Sequence, residues 1–151
     1  MKNFYYLALL VLTLGVFRPC ISDGQEITDL GTVLQKCIDL PMIQSNYPAD
    51  NSGNFLPVHI MQYPVTIPVD VNLKKFGQLP VFMSRHEIYD NNVDAYFLFK
   101  KIDISPGFAY VDYTMYYDYN SEEQKVINIS LTLNSINDNT WEIVDLVFEN
   151  K

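Results

Sequence analysis

The chain has 151 residues and a net charge of −8, and 48% of its residues are hydrophobic. A single domain of ordinary size is therefore expected, and it is long enough to bury a core. An acidic surface repels phosphate backbones, which disfavours a nucleic-acid partner.

The N-terminus has the pattern of a secretory signal. Lys2 is followed by an unbroken apolar run from Phe4 to Phe17. A basic start and an apolar stretch of roughly 7–15 residues are typical of signal peptides, whereas a membrane-spanning helix needs roughly 20 apolar residues. We therefore predict that residues 1–22 are a signal peptide and that residues 23–151 form one domain. This domain is expected in the periplasm or outside the cell, with no membrane span left after cleavage.

Cys20 raises the alternative of a lipoprotein, and an uncleaved anchor is another. Arg18 and Pro19 precede this cysteine, where a lipidation signal has small or aliphatic residues, so the sequence disfavours lipidation. Cleavage after Ser22 would also remove two basic residues and lower the net charge to −10. The remaining domain would contain a single cysteine, Cys37, which excludes a disulfide framework.

The first predicted element is a helix from Asp23 to Leu40. Asp23 and Glu26 have the spacing of a capping box, and Pro41 is expected to end the helix. Apolar residues recur at helical spacing and predict one buried stripe: Ile27, Leu30, Leu34, Cys37 and Ile38.

The middle of the chain is rich in proline. Residues 41–80 contain six of the eight prolines, which predicts mostly irregular or edge structure. Alternating apolar residues from Val65 to Val71 predict an edge strand there. Ser84 and Glu87 form a second capping-box pattern, which predicts a short helix from Arg85 to about Asn91.

The last third of the chain has a strong strand pattern. Alternating apolar and polar residues predict four strands: Ala95–Ile104, Phe108–Tyr119, Lys125–Leu133 and Thr140–Phe148. The turns between them, among them 134–139, are short, so neighbouring strands should be antiparallel. The predicted fold class is α+β, with the N-terminal helix packed on a curved antiparallel four-strand meander. This outline is similar to cystatin-like and nuclear-transport-factor-2-like (NTF2-like) folds.

Four segments together carry a resemblance: Leu79–Ser84, Tyr96–Lys101, Ala109–Val111 and Trp141–Val144. Over residues 79–148 the chain resembles small uncharacterised exported proteins of Bacteroidota-type bacteria. The resemblance implies export and assigns no activity, cofactor or site residue.

Tyrosines are concentrated in one part of the sequence, with seven of the eleven between Tyr89 and Tyr119. On the second predicted strand, Tyr110, Asp112 and Tyr116 share one face, and Tyr113 and Tyr117 share the other. Tyrosine offers a large rigid surface with one polar tip, which suits stacking on sugar rings or anchoring a protein. These five residues are the candidate binding residues: Tyr110, Asp112, Tyr113, Tyr116 and Tyr117. The alternative is that the tyrosines are simply good strand formers.

Catalytic patterns are weak. His86 and Glu87, together with Asp112, are candidate acid–base groups, but no nucleophile stands at a recognisable spacing from them, so the catalytic residues are unknown. Asp90 begins a calcium-loop spacing that fails at Ala95 and Lys101, and no metal site or cofactor is predicted.

The leading hypothesis is an exported, non-catalytic domain that binds a protein or a glycan. Two alternatives stay open: a small enzyme with an acid–base pocket, and an inhibitor of a secreted hydrolase that presents a loop from residues 44–56. The sequence identifies neither the ligand nor the oligomeric state.

Overall fold

The computed structural model describes residues 23–137 and 140–150, and for residues 23–27 it describes the backbone alone. The helices of this part are α1 (Asp23–Ile38), α2 (Pro41–Asn46) and α3 (Arg85–Asp90). The strands are β1 (His59–Met61), β2 (Val81–Met83), β3 (Tyr96–Ser105), β4 (Phe108–Tyr117), β5 (Lys125–Asn137) and β6 (Thr140–Asn150).

The strands form one mixed sheet in the order β2-β1-β3-β4-β5-β6. β1 is parallel to both β2 and β3, and the remaining neighbours are antiparallel. The prediction of a helix on an antiparallel four-strand meander, with a cystatin-like or NTF2-like outline, is therefore wrong. β1 and β2 lie on either side of the proline-rich second half of residues 41–80. Each has only three residues, which is too short to show an alternating pattern in the sequence.

α1 begins at Asp23 and ends at Ile38, two residues before the predicted end. Leu34, Cys37 and Ile38 of the predicted stripe are buried, while the predicted Asp23–Glu26 cap lies outside the described side chains. Pro41 also begins α2, because the first turn of a helix needs no N–H from that position.

The main core lies between one face of the sheet and the layer formed by α1, α2 and the proline-rich segment. Alternate residues of each strand point into it, as Phe97 and Phe99 of β3 and Ile127 and Ile129 of β5 show. Removing these side chains from water is the main stabilising contribution to the fold.

The predicted edge strand from Val65 to Val71 is wrong. Instead, the side-chain amide of Gln62 bonds to both the N–H and the carbonyl of Ile67, each at 2.7 Å. Ile67 and Val71 are nevertheless buried, so the segment packs on the core without joining the sheet ladder. Proline at position 68 removes one of the donors that a ladder would need.

A second, smaller core lies on the opposite face of the sheet. It contains Met61, Ile88, Val93 and Tyr96 and joins α3 to β1 and β3. The capping box predicted for α3 is present, since the Ser84 hydroxyl accepts from the backbone N–H three residues later. This helix forms one wall of the groove described below.

The four C-terminal strands lie close to their predicted positions. β4 ends at Tyr117, two residues before the predicted end, and β5 runs on to Asn137, into part of the predicted turn 134–139. Residues 138 and 139 of that turn lie outside the described residues. Within the described ranges, no helix is both long and apolar enough to cross a membrane.

Candidate functional site

A groove of about 850 Å³ lies on the sheet face opposite the main core, beside α3. It is lined by five tyrosines from five parts of the chain: Tyr63, Tyr89, Tyr96, Tyr116 and Tyr119. We call it the tyrosine groove. Its volume falls within the roughly 300–1,000 Å³ typical of small-molecule sites.

Three of the tyrosine rings form the floor of the groove. Tyr96 of β3 and Tyr116 of β4 are directly opposed in the sheet, and their rings stack with centroids 4.8 Å apart. Tyr119 stands edge-on to both rings, at 5.3 Å from Tyr96 and 5.9 Å from Tyr116. Offset-stacked and edge-to-face contacts are the favoured arrangements of aromatic rings, so the floor holds its own shape.

The two remaining tyrosines form the rim. Tyr63 follows β1 and is 59% exposed, and Tyr89 on α3 is 75% exposed. Their rings therefore contribute little to the core, and each offers a wide apolar surface to a molecule in the groove.

Besides the tyrosine hydroxyls, the groove has polar side chains from Arg85 and His86 at the start of α3 and from Gln124 before β5. No aspartate or glutamate is among the described lining residues. His86 is 84% exposed, and its Nε2 lies 3.0 Å from the carboxylate of Asp90. Burial, and then the neighbouring Tyr119 and Tyr116, raise the pKa of Tyr96, so its hydroxyl is neutral at ordinary pH.

Local hydrogen bonds hold the walls in place. The backbone N–H of Ser84 donates to the Glu87 carboxylate at 2.7 Å, which fixes the start of α3. At the other wall, the backbone N–H of Tyr119 donates to the carbonyl of Asp94 at 3.0 Å. The next residue, Asn120, donates its backbone N–H to the Asp94 carboxylate at 3.0 Å. Both walls are thus held in place by hydrogen bonds within the chain.

The five sequence-predicted binding residues do not form one site. Of these, Tyr116 alone lines the groove. Tyr110 and Asp112 lie on the same sheet face but outside it, where the ammonium of Lys101 is 5.4 Å from the Tyr110 ring and that of Lys100 is 3.9 Å from the Asp112 carboxylate.

Tyr113 and Tyr117 point to the other face and belong to the main core. Tyr113 is fully buried, and its hydroxyl donates to the carbonyl of Cys37 at 2.6 Å. Tyr117 is nearly buried, with its hydroxyl 3.5 Å from the side-chain oxygen of Asn46. Both rings hold the helical layer on the sheet.

The acid–base groups of the enzyme hypothesis are not brought together. His86 reaches the groove, whereas Asp112 does not line it and Glu87 is used in the helix cap. His59 is half-buried elsewhere, beside the carbonyl of Ala95, and burial lowers its pKa. Within the described residues no group of three or more His, Cys, Asp or Glu side chains could hold a metal ion.

The loop of the inhibitor hypothesis, residues 44–56, is closed on itself. The Asp50 carboxylate accepts from the backbone N–H groups of Ser52 and Asn54 at 2.8 and 2.9 Å, and these bonds lower its pKa. Ala49 and Phe55 bridge the base of the loop.

Sequence reasoning missed four of the five groove tyrosines and the arginine beside them. They come from a loop, a short helix, a strand and a turn, so no single periodicity relates them. The high density of tyrosine between Tyr89 and Tyr119 was the available signal, and four of the five groove tyrosines fall within it.

Comparison of the chain with protein-family models, with curated proteins and with solved structures finds no match. The function is therefore argued from the geometry of the tyrosine groove.

Proposed function

We propose that this protein is an exported, non-catalytic domain that binds a glycan in the tyrosine groove. One observation carries the proposal: two widely exposed rings, Tyr63 and Tyr89, stand over a floor of three mutually packed rings. An exposed aromatic ring adds little to the stability of a fold, so such a pair is best explained by a ligand that covers it.

The chemistry of the groove fits a sugar. The C–H face of a pyranose ring is apolar and flat enough to stack on tyrosine, while its hydroxyl groups need hydrogen-bond partners around the edge. Arg85, His86 and Gln124 supply donors at that edge, and the tyrosine hydroxyls can both donate and accept. A few polar groups in a largely aromatic cleft fix the orientation of a ligand.

Two expectations from the sequence support this proposal. The predicted signal peptide at residues 1–22 would deliver the domain to the periplasm or the outside of the cell, where polysaccharides are abundant. The resemblance over residues 79–148 to small exported proteins of Bacteroidota-type bacteria points to the same compartment. A glycan ligand is favoured over a protein ligand because the exposed rings line a concave groove rather than a flat patch.

The test is binding of purified protein to a panel of soluble polysaccharides and oligosaccharides, measured by array and then by titration calorimetry. Tyr63→Ala and Tyr89→Ala should each weaken binding at least tenfold, because each removes a stacking surface. Tyr110→Ala is the matched control, since this tyrosine lies on the same sheet face outside the groove; it should leave the affinity unchanged.

Two results would reject the proposal. The first is a wild-type protein that binds no glycan of the panel, and the second is a Tyr89→Ala variant that binds as tightly as wild type. Retention of a purified protein ligand by wild type and its loss in Tyr89→Ala would instead favour the protein-binding alternative.

A further inference from the structure

The charges that line the tyrosine groove differ from those of the chain as a whole. The chain has a net charge of −8, yet none of the described lining residues is an acid. The cationic candidates in the lining are Arg85 and His86, and His86 already lies 3.0 Å from the Asp90 carboxylate. Arg85 is therefore the groove's uncompensated positive charge.

Some cations of the described chain are paired with a carboxylate and others are not. Four lysines lie within 4 Å of a carboxylate: Lys75, Lys100, Lys101 and Lys125. Arg85 has no such partner among residues 23–137 and 140–150, and Lys36 and Lys74, which also lack one there, line a different cleft beside α1. An arginine kept free of carboxylates at the edge of an aromatic groove is available to a ligand.

The guanidinium group of Arg85 favours a ligand that carries a carboxylate. Arginine presents a flat fork of N–H donors that matches a carboxylate with two parallel hydrogen bonds. A single guanidinium balances a single negative charge. A polyanionic chain would in addition meet the repulsion of an acidic protein.

We propose that the glycan bound in the tyrosine groove carries one carboxylate, as in a uronic or sialic acid at a chain end, and that Arg85 binds this carboxylate. This inference rests on the proposed function. The sugar ring stacks on the rim tyrosines, and the carboxylate reaches the guanidinium at the start of α3. Arg85 thereby selects an acidic sugar over its neutral counterpart.

The experiment is an array that presents each oligosaccharide with a neutral, a uronic, a sialic and a sulfated terminal residue, followed by calorimetry on the best pair. Wild type should bind the carboxylated member at least tenfold more tightly than the neutral one. Arg85→Gln should reduce this preference to less than twofold, because it weakens binding of the carboxylated member far more than binding of the neutral one. Lys101→Gln, which removes a cation on the same sheet face outside the groove, is the control and should keep the full preference.

The outcomes separate the two proposals. Equal binding of neutral and carboxylated members by wild type, a preference for the sulfated member, or a full preference retained in Arg85→Gln would overturn the role of Arg85 and leave glycan binding standing. Absence of binding to every member would overturn both.

Discussion

The hydroxyl of Tyr113 on β4 donates a hydrogen bond of 2.6 Å to the backbone carbonyl of Cys37 near the end of α1. In a continuing helix this carbonyl would accept from the backbone N–H four residues on. That residue is Pro41, which has no N–H. The buried tyrosine therefore supplies the donor that the chain itself lacks, and it ties the helix to the middle of the sheet.

Replacing Tyr113 by phenylalanine should lower the free energy of unfolding by about 1–3 kcal/mol, because the Cys37 carbonyl would be buried without a partner. Urea denaturation followed by circular dichroism measures this change. Tyr110→Phe is the matched control on the same strand, since the half-buried Tyr110 hydroxyl has no such bond in the described structure, and it should change stability by less than about 0.5 kcal/mol. Equal stability of the two variants would contradict this role for Tyr113.

The same pair of residues predicts a loss of stability in alkali. Burial raises the pKa of the Cys37 thiol and of the Tyr113 hydroxyl above their ordinary values of 9.0 and 10.0. Below these pH values both groups are neutral in the folded and the unfolded chain, and the full stability of the fold is present. It is lost as the pH rises above them, because the unfolded chain releases the protons first. The free energy of unfolding should therefore fall above about pH 9, with a slope approaching about 1.4 kcal/mol per pH unit for each group.

Measuring the free energy of unfolding of wild type and Cys37→Ala between pH 7 and 10.5 tests this expectation. The alanine variant should be less stable at pH 7, because it leaves a cavity, but its stability should fall less between pH 9 and 10. Parallel curves for the two proteins would show that the thiol contributes nothing to the pH dependence.

The parts of the fold that the sequence predicts are those with long regular patterns. The strand β5 alternates regularly from Ile127 to Leu133, and its apolar residues Ile127 and Ile129 are buried as expected. β1 and β2 were missed because a three-residue strand has no period to detect. The stretch from Val65 to Val71 shows the opposite error, since its alternation reflects burial of Ile67 and Val71 in a loop held by Gln62.

The site was harder to predict from the sequence than the fold, for a related reason. The tyrosine groove brings together Tyr63, Tyr89 and Tyr119 from segments that the sequence treats as a loop, a helix and a strand end. Their proximity follows from the parallel placement of β1 beside β3, a long-range pairing that no local pattern encodes. Tyr116 was predicted because it belongs to the tyrosine-rich second predicted strand, whereas Tyr96 is the only tyrosine of the first predicted strand.

The cap of α3 should affect both stability and binding. Ser84→Ala removes the hydroxyl that accepts from the backbone N–H of Glu87 at 3.2 Å, and we expect a loss of about 1 kcal/mol in the free energy of unfolding. Because α3 carries Arg85 and Tyr89, the affinity for a groove ligand should fall as well. Urea denaturation and calorimetry measure the two effects.

Ser52→Ala is the control for this change. Ser52 lies in an exposed turn, where its backbone N–H and not its hydroxyl bonds to Asp50, so neither stability nor binding should change. A Ser84→Ala variant that matched this control in both measurements would show that the cap does not hold the groove wall.

Lys75 and Asp39 form an ion pair, and replacing one partner is expected to cost more stability than replacing the other. The lysine side chain is only 4% exposed, whereas the aspartate is 50% exposed, and their charged atoms are 3.2 Å apart. Asp39→Asn removes the carboxylate and leaves a buried ammonium without its counter-charge. Lys75→Met removes that buried charge altogether and keeps a side chain of similar volume.

Asp39→Asn should therefore lower the free energy of unfolding by about 1–2 kcal/mol, a value reduced from that of a fully buried pair because water screens the half-exposed carboxylate. Lys75→Met should cost less than about 1 kcal/mol, and the double variant should be about as stable as Lys75→Met alone, since no buried ammonium then remains. Urea denaturation of the three variants at one ionic strength measures the order. If Lys75→Met were the more destabilising of the two single changes, the ammonium would be a net source of stability rather than a buried charge that depends on Asp39.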